Sequence, residues 1–246
     1  MARSAISFFL MNEWNLVDNV YIKRIFKFFY RVRPLKARYS TFWSVNKLLD
    51  FLKMWHPPET LCLKKLTIKT IALLALSSSD RGQTLHLLNL NNMEIGRDSI
   101  KFVILDKLKT TRKVIKPKIV TCLSSEIEEL CLKSYISAYI KRTSEFRGEN
   151  DKIKPLFISW ATKRPVSKQT IARWLTEALK LSGIDTTKYK SHSYRGSGLS
   201  AAQDRGASIQ DIIKQGNWTS KSTFLTYYNA PSDESNLGRL ILNNSL

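Results

Sequence analysis

The chain of 246 residues is short of acid, short of cysteine and without a long apolar run, and each shortage removes a class of function. Only 20 Asp and Glu stand against 40 Lys and Arg, a formal net charge of +20. That imbalance points to a polyanionic partner, nucleic acid ahead of an anionic membrane surface. No apolar stretch approaches the roughly 18 residues of a spanning helix, so no membrane partner is expected. MARSAISFFLMNEW (1–14) carries an apolar patch but no small-residue cleavage site, which argues against a secretory signal. Cys62, Cys122 and Cys131 are odd in number and off metal-ligand spacing, which fits a reducing, intracellular compartment. His56 and His86 also lack partners at ligand spacing, so no metal and no cofactor is expected. Repeats and low-complexity tracts are absent. A hydrophobic content of 43% leaves a folded domain with a real core.

The cations are not spread evenly. Between Tyr21 and Ser40 stand Lys23, Arg24, Lys27, Arg31, Arg33, Lys36 and Arg38, with no acid among them. An acid-free run of this kind reads as a strap laid against phosphates rather than a solvated face. A second basic run occupies 101–118. Residues 4–33 read as one or two helices ended by Arg33-Pro34. The periodicity then predicts helices over 40–55, stopped by Pro57-Pro58, and over 63–79, more apolar and buried, with a short helix over 83–90 after the break at Arg81-Gly82. Residues 93–120 are rich in β-branched side chains around a Gly96-Arg97-Asp98 turn and predict a small antiparallel sheet. A helix over 124–143, capped by Ser124 or Ser125 with Glu in its first turn, follows. Then come a polar loop at 144–152, an extended LFIS (156–159), and a capped helix over 167–183 ending at Gly183. The expected fold is α+β, mainly helical, with a small antiparallel sheet inserted.

The densest information lies at 190–231. His192 and Arg195 stand three apart at the start of an expected helix, on one face, with Ser191 as N-cap. Trp218 follows, then the adjacent Tyr227 and Tyr228. Metal-free attack of a protein nucleophile on a phosphodiester needs a deprotonated attacking oxygen, charge stabilisation of the phosphorane and a proton for the leaving 5′ oxygen. A phenol, with a pKa near ~10, suits the first task. Two arginines fork onto the non-bridging oxygens. A lysine on a β-hairpin can supply the proton. Arg81, at a helix break, is the candidate first arginine and Arg195 the second. Lys109 is the candidate acid, with Lys107 and Lys113 as neighbouring alternatives.

The series Arg81, Lys109, His192-x-x-Arg195, Trp218 and tyrosine resembles the tyrosine recombinases of phage-integrase type. More narrowly it resembles the recombinases of DIRS-like and Ngaro-like retrotransposons. The motifs that carry this are RGQTLHLL (81–88), LKTTR (108–112), PVSKQTIARW (165–174) and NWTSKSTF (217–224). The sequence departs from the family pattern at Thr84, where many recombinases have an acid, at Tyr194, at Asn217 before Trp218, and at Lys113-Val114. Generic spacing from Trp218 selects Tyr227 as nucleophile, whereas the retroelement ending Thr-Phe-x-x-Phe-Tyr aligns with Tyr228, which is preferred.

The resemblance implies a recombinase catalytic domain over 40–235, a remnant of the N-terminal core-binding domain with its basic linker over 1–39, and a tail over 236–246. It implies cleavage and rejoining of double-stranded DNA through a 3′-phosphotyrosine, in a homotetramer on DNA, without cofactor or metal, in the nucleus. Lys23, Arg24, Lys27, Arg31, Arg33, Arg38, Arg112, Lys113, Lys168 and Arg173 are the expected DNA contacts. An inert DNA-binding remnant and a type IB topoisomerase-like activity are the other readings of the same residues.

Overall fold

The computed structural model describes residues 19–33, 39, 41–106, 117–148, 153–216 and 218. The chain divides into two compact units, Met1–Arg38 and Tyr39–Leu246. In the first, α1 (Val20–Val32) starts at Asn19, whose side-chain oxygen accepts from the backbone N–H of Tyr21 at 3.0 Å and Ile22 at 3.2 Å. It ends at Arg33, before the proline that cannot continue it. Lys23, Arg24, Lys27, Arg31 and Arg33 are exposed on it, and so are Tyr21, Phe28 and Phe29. Lys36, Arg38 and the expected helix N-terminal to Asn19 lie outside the described residues.

The second unit is built around α3 (Leu63–Ser78), a helix so evenly apolar that nearly every side chain from Leu66 to Ala75 is buried. A helix apolar all round belongs in a core. It packs against α5 (Leu132–Thr143), α6 (Lys168–Leu181), α7 (Ser193–Asp204) and one edge of the sheet. α2 (Val45–Lys53) lies over α6 and α7, burying Val45, Leu48 and Leu52. Strands β1 (Met93–Ile95), β2 (Ser99–Ile104) and β3 (Lys118–Leu123) form an antiparallel sheet in chain order. Ile100, Phe102, Ile104, Val120 and Cys122 point to the core, the alternation that a sheet with one solvated face requires. Ile104 pairs with Lys118, so the two strands meet at the root of the 105–117 connection.

Several expected boundaries move: the helix expected over 40–55 runs Val45–Lys53, and the one expected over 83–90 runs Gly82–His86. The helix expected over 124–143 begins eight residues late, at Leu132, after a 3-10 turn at Glu128–Leu130. Ser125 does use its hydroxyl on a backbone N–H, but on that of Ile127 at 3.2 Å, closing a local turn instead of a helix. The segment read as a polar loop contains a 3-10 turn at Ser144–Phe146 and one of the most buried side chains in the protein, Arg147. Its guanidinium donates to the carbonyls of Ile153, Pro155 and Leu156 and to the Thr143 hydroxyl, at 2.8 to 3.3 Å. Lys69 is treated alike: its ammonium reaches Leu52 O, Trp55 O and Tyr135 OH at 2.7 Å each. It thereby serves carbonyls at the C-terminal end of α2 from a neighbouring helix. Ser167 caps α6 through the N–H of Thr170, as its motif predicts, and the helix ends at Ser182, one residue before Gly183.

Candidate active site

The site begins where α3 stops. Ser79 takes the left-handed conformation, φ 50°, which a non-glycine residue adopts at a cost and which turns the chain sharply. Ser78 Oγ accepts from the N–H of Asp80 at 3.2 Å, and Arg81 follows as the N-cap residue of α4 (Gly82–His86). Asp80 and Arg81 therefore sit in a three-residue link, 79–81, between helices. The sequence expectation that Arg81 stands at a helix break holds, with its side chain half-buried.

Arg195 comes to the same place on α7. Gly198 makes this possible: a Cβ there would lie 3.1 Å from Ser79 Oγ and 3.2 Å from Leu76 O, so α7 rests directly on the last turn of α3. Tyr194, where the family resemblance leads one to expect a smaller residue, is fully buried. Its ring stands edge-on to Trp43 at 5.2 Å and its hydroxyl donates to Leu175 O at 3.0 Å, locking the first turn of α7. Trp43 adds a 2.7 Å hydrogen bond to Ser193 Oγ. The N-cap is His192 and not the expected Ser191. Ser193 directs both its N–H and its hydroxyl to Lys190 O at 2.8 Å, so the chain is already turning before Ser191 could cap it.

Arg195 is buried. Its Nη2 donates to Gly216 O, and its guanidinium lies 4.5 Å from the centroid of the half-buried Trp218 ring. Gly216 is required here, since a Cβ would meet that indole at 2.3 Å. α8 (Ile209–Gln215) holds this segment against the site, Gln215 Nε2 donating to Ser78 O at 2.7 Å. His192 is in different surroundings from Arg195 despite the three-residue spacing. It is exposed, its ring 6.0 Å from that of Tyr39.

The residue that joins these parts was not singled out by sequence. Asp80 is buried, its Oδ1 3.3 Å from Lys118 Nζ at the start of β3. Burial pushes its carboxyl above the ordinary range, while Lys118, Arg195 and Arg81 all pull it down. Lys118 thus contacts this carboxylate directly, and the charges of Arg81 and Arg195 act on it from nearby. The only signal available beforehand was its adjacency to Arg81, and nothing distinguishes Lys118 from the other lysines of its run. Lys168 and Arg173 are exposed on α6, Arg173 donating to Thr170 at 3.1 Å. Lys107, Lys109, Arg112, Lys113, Tyr227 and Tyr228 lie outside the described residues, as does the 236–246 tail. Among the described residues no group of three His, Cys, Asp or Glu could hold a metal, and no helix is long and apolar enough to cross a membrane.

The model of the phage integrase family matches residues 44–235, most of the chain and every helix described above from α2 onward. This chain belongs to the phage integrase family. A search of curated proteins finds no match. Among solved structures, the XerH site-specific recombinase bound to palindromic difH substrate, in a post-cleavage complex, aligns with a TM-score of 0.59 at 12% identity, over 82% of this chain and 52% of that one. XerA recombinase aligns with a TM-score of 0.59 at 15% identity, over 98% and 79%. A lambda integrase (75–356) dimer bound to a COC′ core site gives 0.53 at 13%, over 94% and 80%. The chain spans about half the length of XerH. The fold is that of the tyrosine-recombinase catalytic domain, mainly helical with a three-stranded antiparallel sheet.

Proposed function

We propose that this phage integrase family member cleaves and rejoins double-stranded DNA through a 3′-phosphotyrosine, as a homotetramer on DNA, in the nucleus, and that it derives from a DIRS-like or Ngaro-like retrotransposon. The observation that supports the chemistry is the Arg195 guanidinium seated against Trp218, with Arg195 and Arg81 both near enough to Asp80 for their charges to act on its carboxyl. The retroelement origin rests on the four sequence motifs, and the partner on the +20 charge and on family membership.

In this reading the two guanidiniums take the non-bridging oxygens of the scissile phosphate, where they stabilise the charge of the pentavalent transition state. The phenol of Tyr228 loses its proton to His192 or solvent as its oxygen bonds to phosphorus. The bond to the 5′ oxygen breaks, and Lys109 gives that oxygen its proton. Rejoining reverses the steps, with a 5′ hydroxyl as nucleophile and Tyr228 as leaving group. The exposed cations of α1 and of α6 follow the backbone outside the cut.

A nicked suicide duplex, which loses the 5′ fragment after cleavage, tests the reading. Covalent protein–DNA adduct, mapped by mass to Tyr228, is the expected result. Label on Tyr227 moves the nucleophile. Tight binding of duplex with no adduct on any substrate would replace the enzyme with an inert DNA-binding remnant.

A further inference from the structure

A carboxylate next to an arginine proposed to bind phosphate is electrostatically expensive, because it subtracts charge at the point where an anion must be received. Asp80 nevertheless sits there with only 8% of its side chain exposed, and Lys118 opposite it with 18%. Oδ1 takes Lys118 at 3.3 Å, while the buried Oδ2 has no hydrogen-bond partner among the described residues. Its backbone is held by Ser78 Oγ and by the left-handed Ser79, so the turn that carries the carboxylate is fixed to the end of α3.

Lys118 is as constrained as its partner. It opens β3 and pairs with Ile104, the last residue of β2, at the root of the 105–117 connection that carries Lys107, Lys109 and Lys113. The ion pair therefore ties the base of that connection to the residue next to Arg81. Buried ion pairs stabilise little in net terms, and their best-attested use is to select one arrangement over others.

We infer that Asp80 is a positioning residue of the strand-cleavage site: through Lys118 it registers the root of the lysine-bearing connection against the turn that carries Arg81. This rests on the recombinase reading for its catalytic consequence, but the anchoring itself does not. Asp80 touches neither the tyrosine nor the leaving group in this assignment, so its effect belongs in the rate of cleavage and not in DNA binding.

The experiment uses the full chain and three variants, Asp80→Asn, Lys118→Met and Lys118→Arg, with thermal melts to establish that each folds. Three quantities are measured: the dissociation constant for an intact duplex, the single-turnover rate of adduct formation on the nicked suicide duplex, and hydrogen–deuterium exchange of peptides spanning 105–120. Asp80→Asn is expected to bind duplex as tightly as wild type or more tightly, yet to form adduct about 10- to 100-fold more slowly, with faster exchange over 105–120. Lys118→Met should reproduce the exchange and the slowing, and Lys118→Arg should restore most of both. A folded Asp80→Asn protein with wild-type cleavage and wild-type exchange would make Asp80 a bystander and sink the inference. Cleavage that rises together with affinity would make Asp80 an electrostatic brake, which also overturns it. Wild-type protein that never forms adduct ends the recombinase reading, and the exchange of 105–120 then decides the anchoring by itself.

Discussion

Three buried cations in this protein live in two kinds of surroundings. Arg147 and Lys69, 1% and 0% exposed, spend their N–H groups on carbonyls and hydroxyls contributed by the ends of helices and by the 153–156 segment. Those oxygens are neutral and fixed, and no ligand could replace them without opening the core. Arg195, 5% exposed, donates to the Gly216 carbonyl at the end of α8, lies over an indole and is near enough to the Asp80 carboxylate, which pairs with Lys118, for its charge to act there. An incoming phosphate can join that arrangement. Satisfaction by backbone oxygens marks a cation kept for stability, whereas the mixed surroundings of Arg195 fit the phosphate-binding role proposed for it.

The comparison breaks most visibly at Arg147. Replacement by Ala leaves three carbonyls and a hydroxyl unserved, and each buried unsatisfied acceptor costs about 1 kcal/mol or more. A loss of about 3 kcal/mol or more is expected, read as a melting temperature lower by roughly 10 °C, with the refolded fraction still able to bind DNA. Unchanged melting would mean that solvent serves those oxygens as well as Arg147 does.

Arg195→Ala and Arg81→Ala should each slow adduct formation by on the order of 100-fold or more. They should part in stability, since Arg195 is buried and Arg81 is not. A loss of about 1 to 2 kcal/mol is expected for Arg195→Ala and little for Arg81→Ala. Equal melting curves for the two would contradict the distinction between the buried and the half-buried arginine.

Lys69 sharpens the comparison through pH. Burial lowers its pKa to about 7, with Glu129 pulling it back up, so between that value and the ordinary 10.5 the unfolded chain binds the extra proton. Stability then rises with pH across this window and is flat in this group below it. Denaturant melts of wild type and Lys69→Met at pH 6.5 and pH 9.5 should differ in slope, with wild type gaining more as pH rises. Parallel behaviour of the two proteins would exclude a lowered Lys69 pKa.

The smallest effect is expected at Gly198. An alanine there must push Ser79 Oγ or the Leu76 carbonyl by a few tenths of an ångström, costing about 1 kcal/mol. Because the push falls on the turn bearing Asp80 and Arg81, adduct formation should drop several-fold more than melting suggests. A stability loss with no change in rate would separate the helix contact from the site.

Much of this was readable in advance, for physical reasons that also explain the rest. α3 announced itself by its apolar helical periodicity, α6 by Ser167 and its N-terminal motif, and the sheet by β-branched residues around the Gly96 turn. Arg81, Arg195 and Trp218 were placed by spacing, and the structure brings them to one neighbourhood. The late start of α5 was hidden because Ser125 and the following glutamates fit a helix start and a 3-10 turn equally well. Arg147 was hidden because its partners are backbone oxygens, which carry no sequence signal. Asp80 and Lys118 are 38 positions apart in sequence, and only their meeting in space makes either of them stand out.

Gln215 reaches Ser78 across 137 positions of chain, and Arg195 reaches Gly216 across 21. Contacts closed over such long loops carry a high entropic cost and form late when a chain folds. A polypeptide that has emerged as far as α6 holds the α3–α5 core and the sheet, but not α7 or the segment that seats Arg195. The Arg81 turn is then a stable ending of a helix with nothing to act through. The buried setting of Arg195 is therefore completed only by segments late in the chain, and the proposed activity would be the last property that a growing polypeptide acquires.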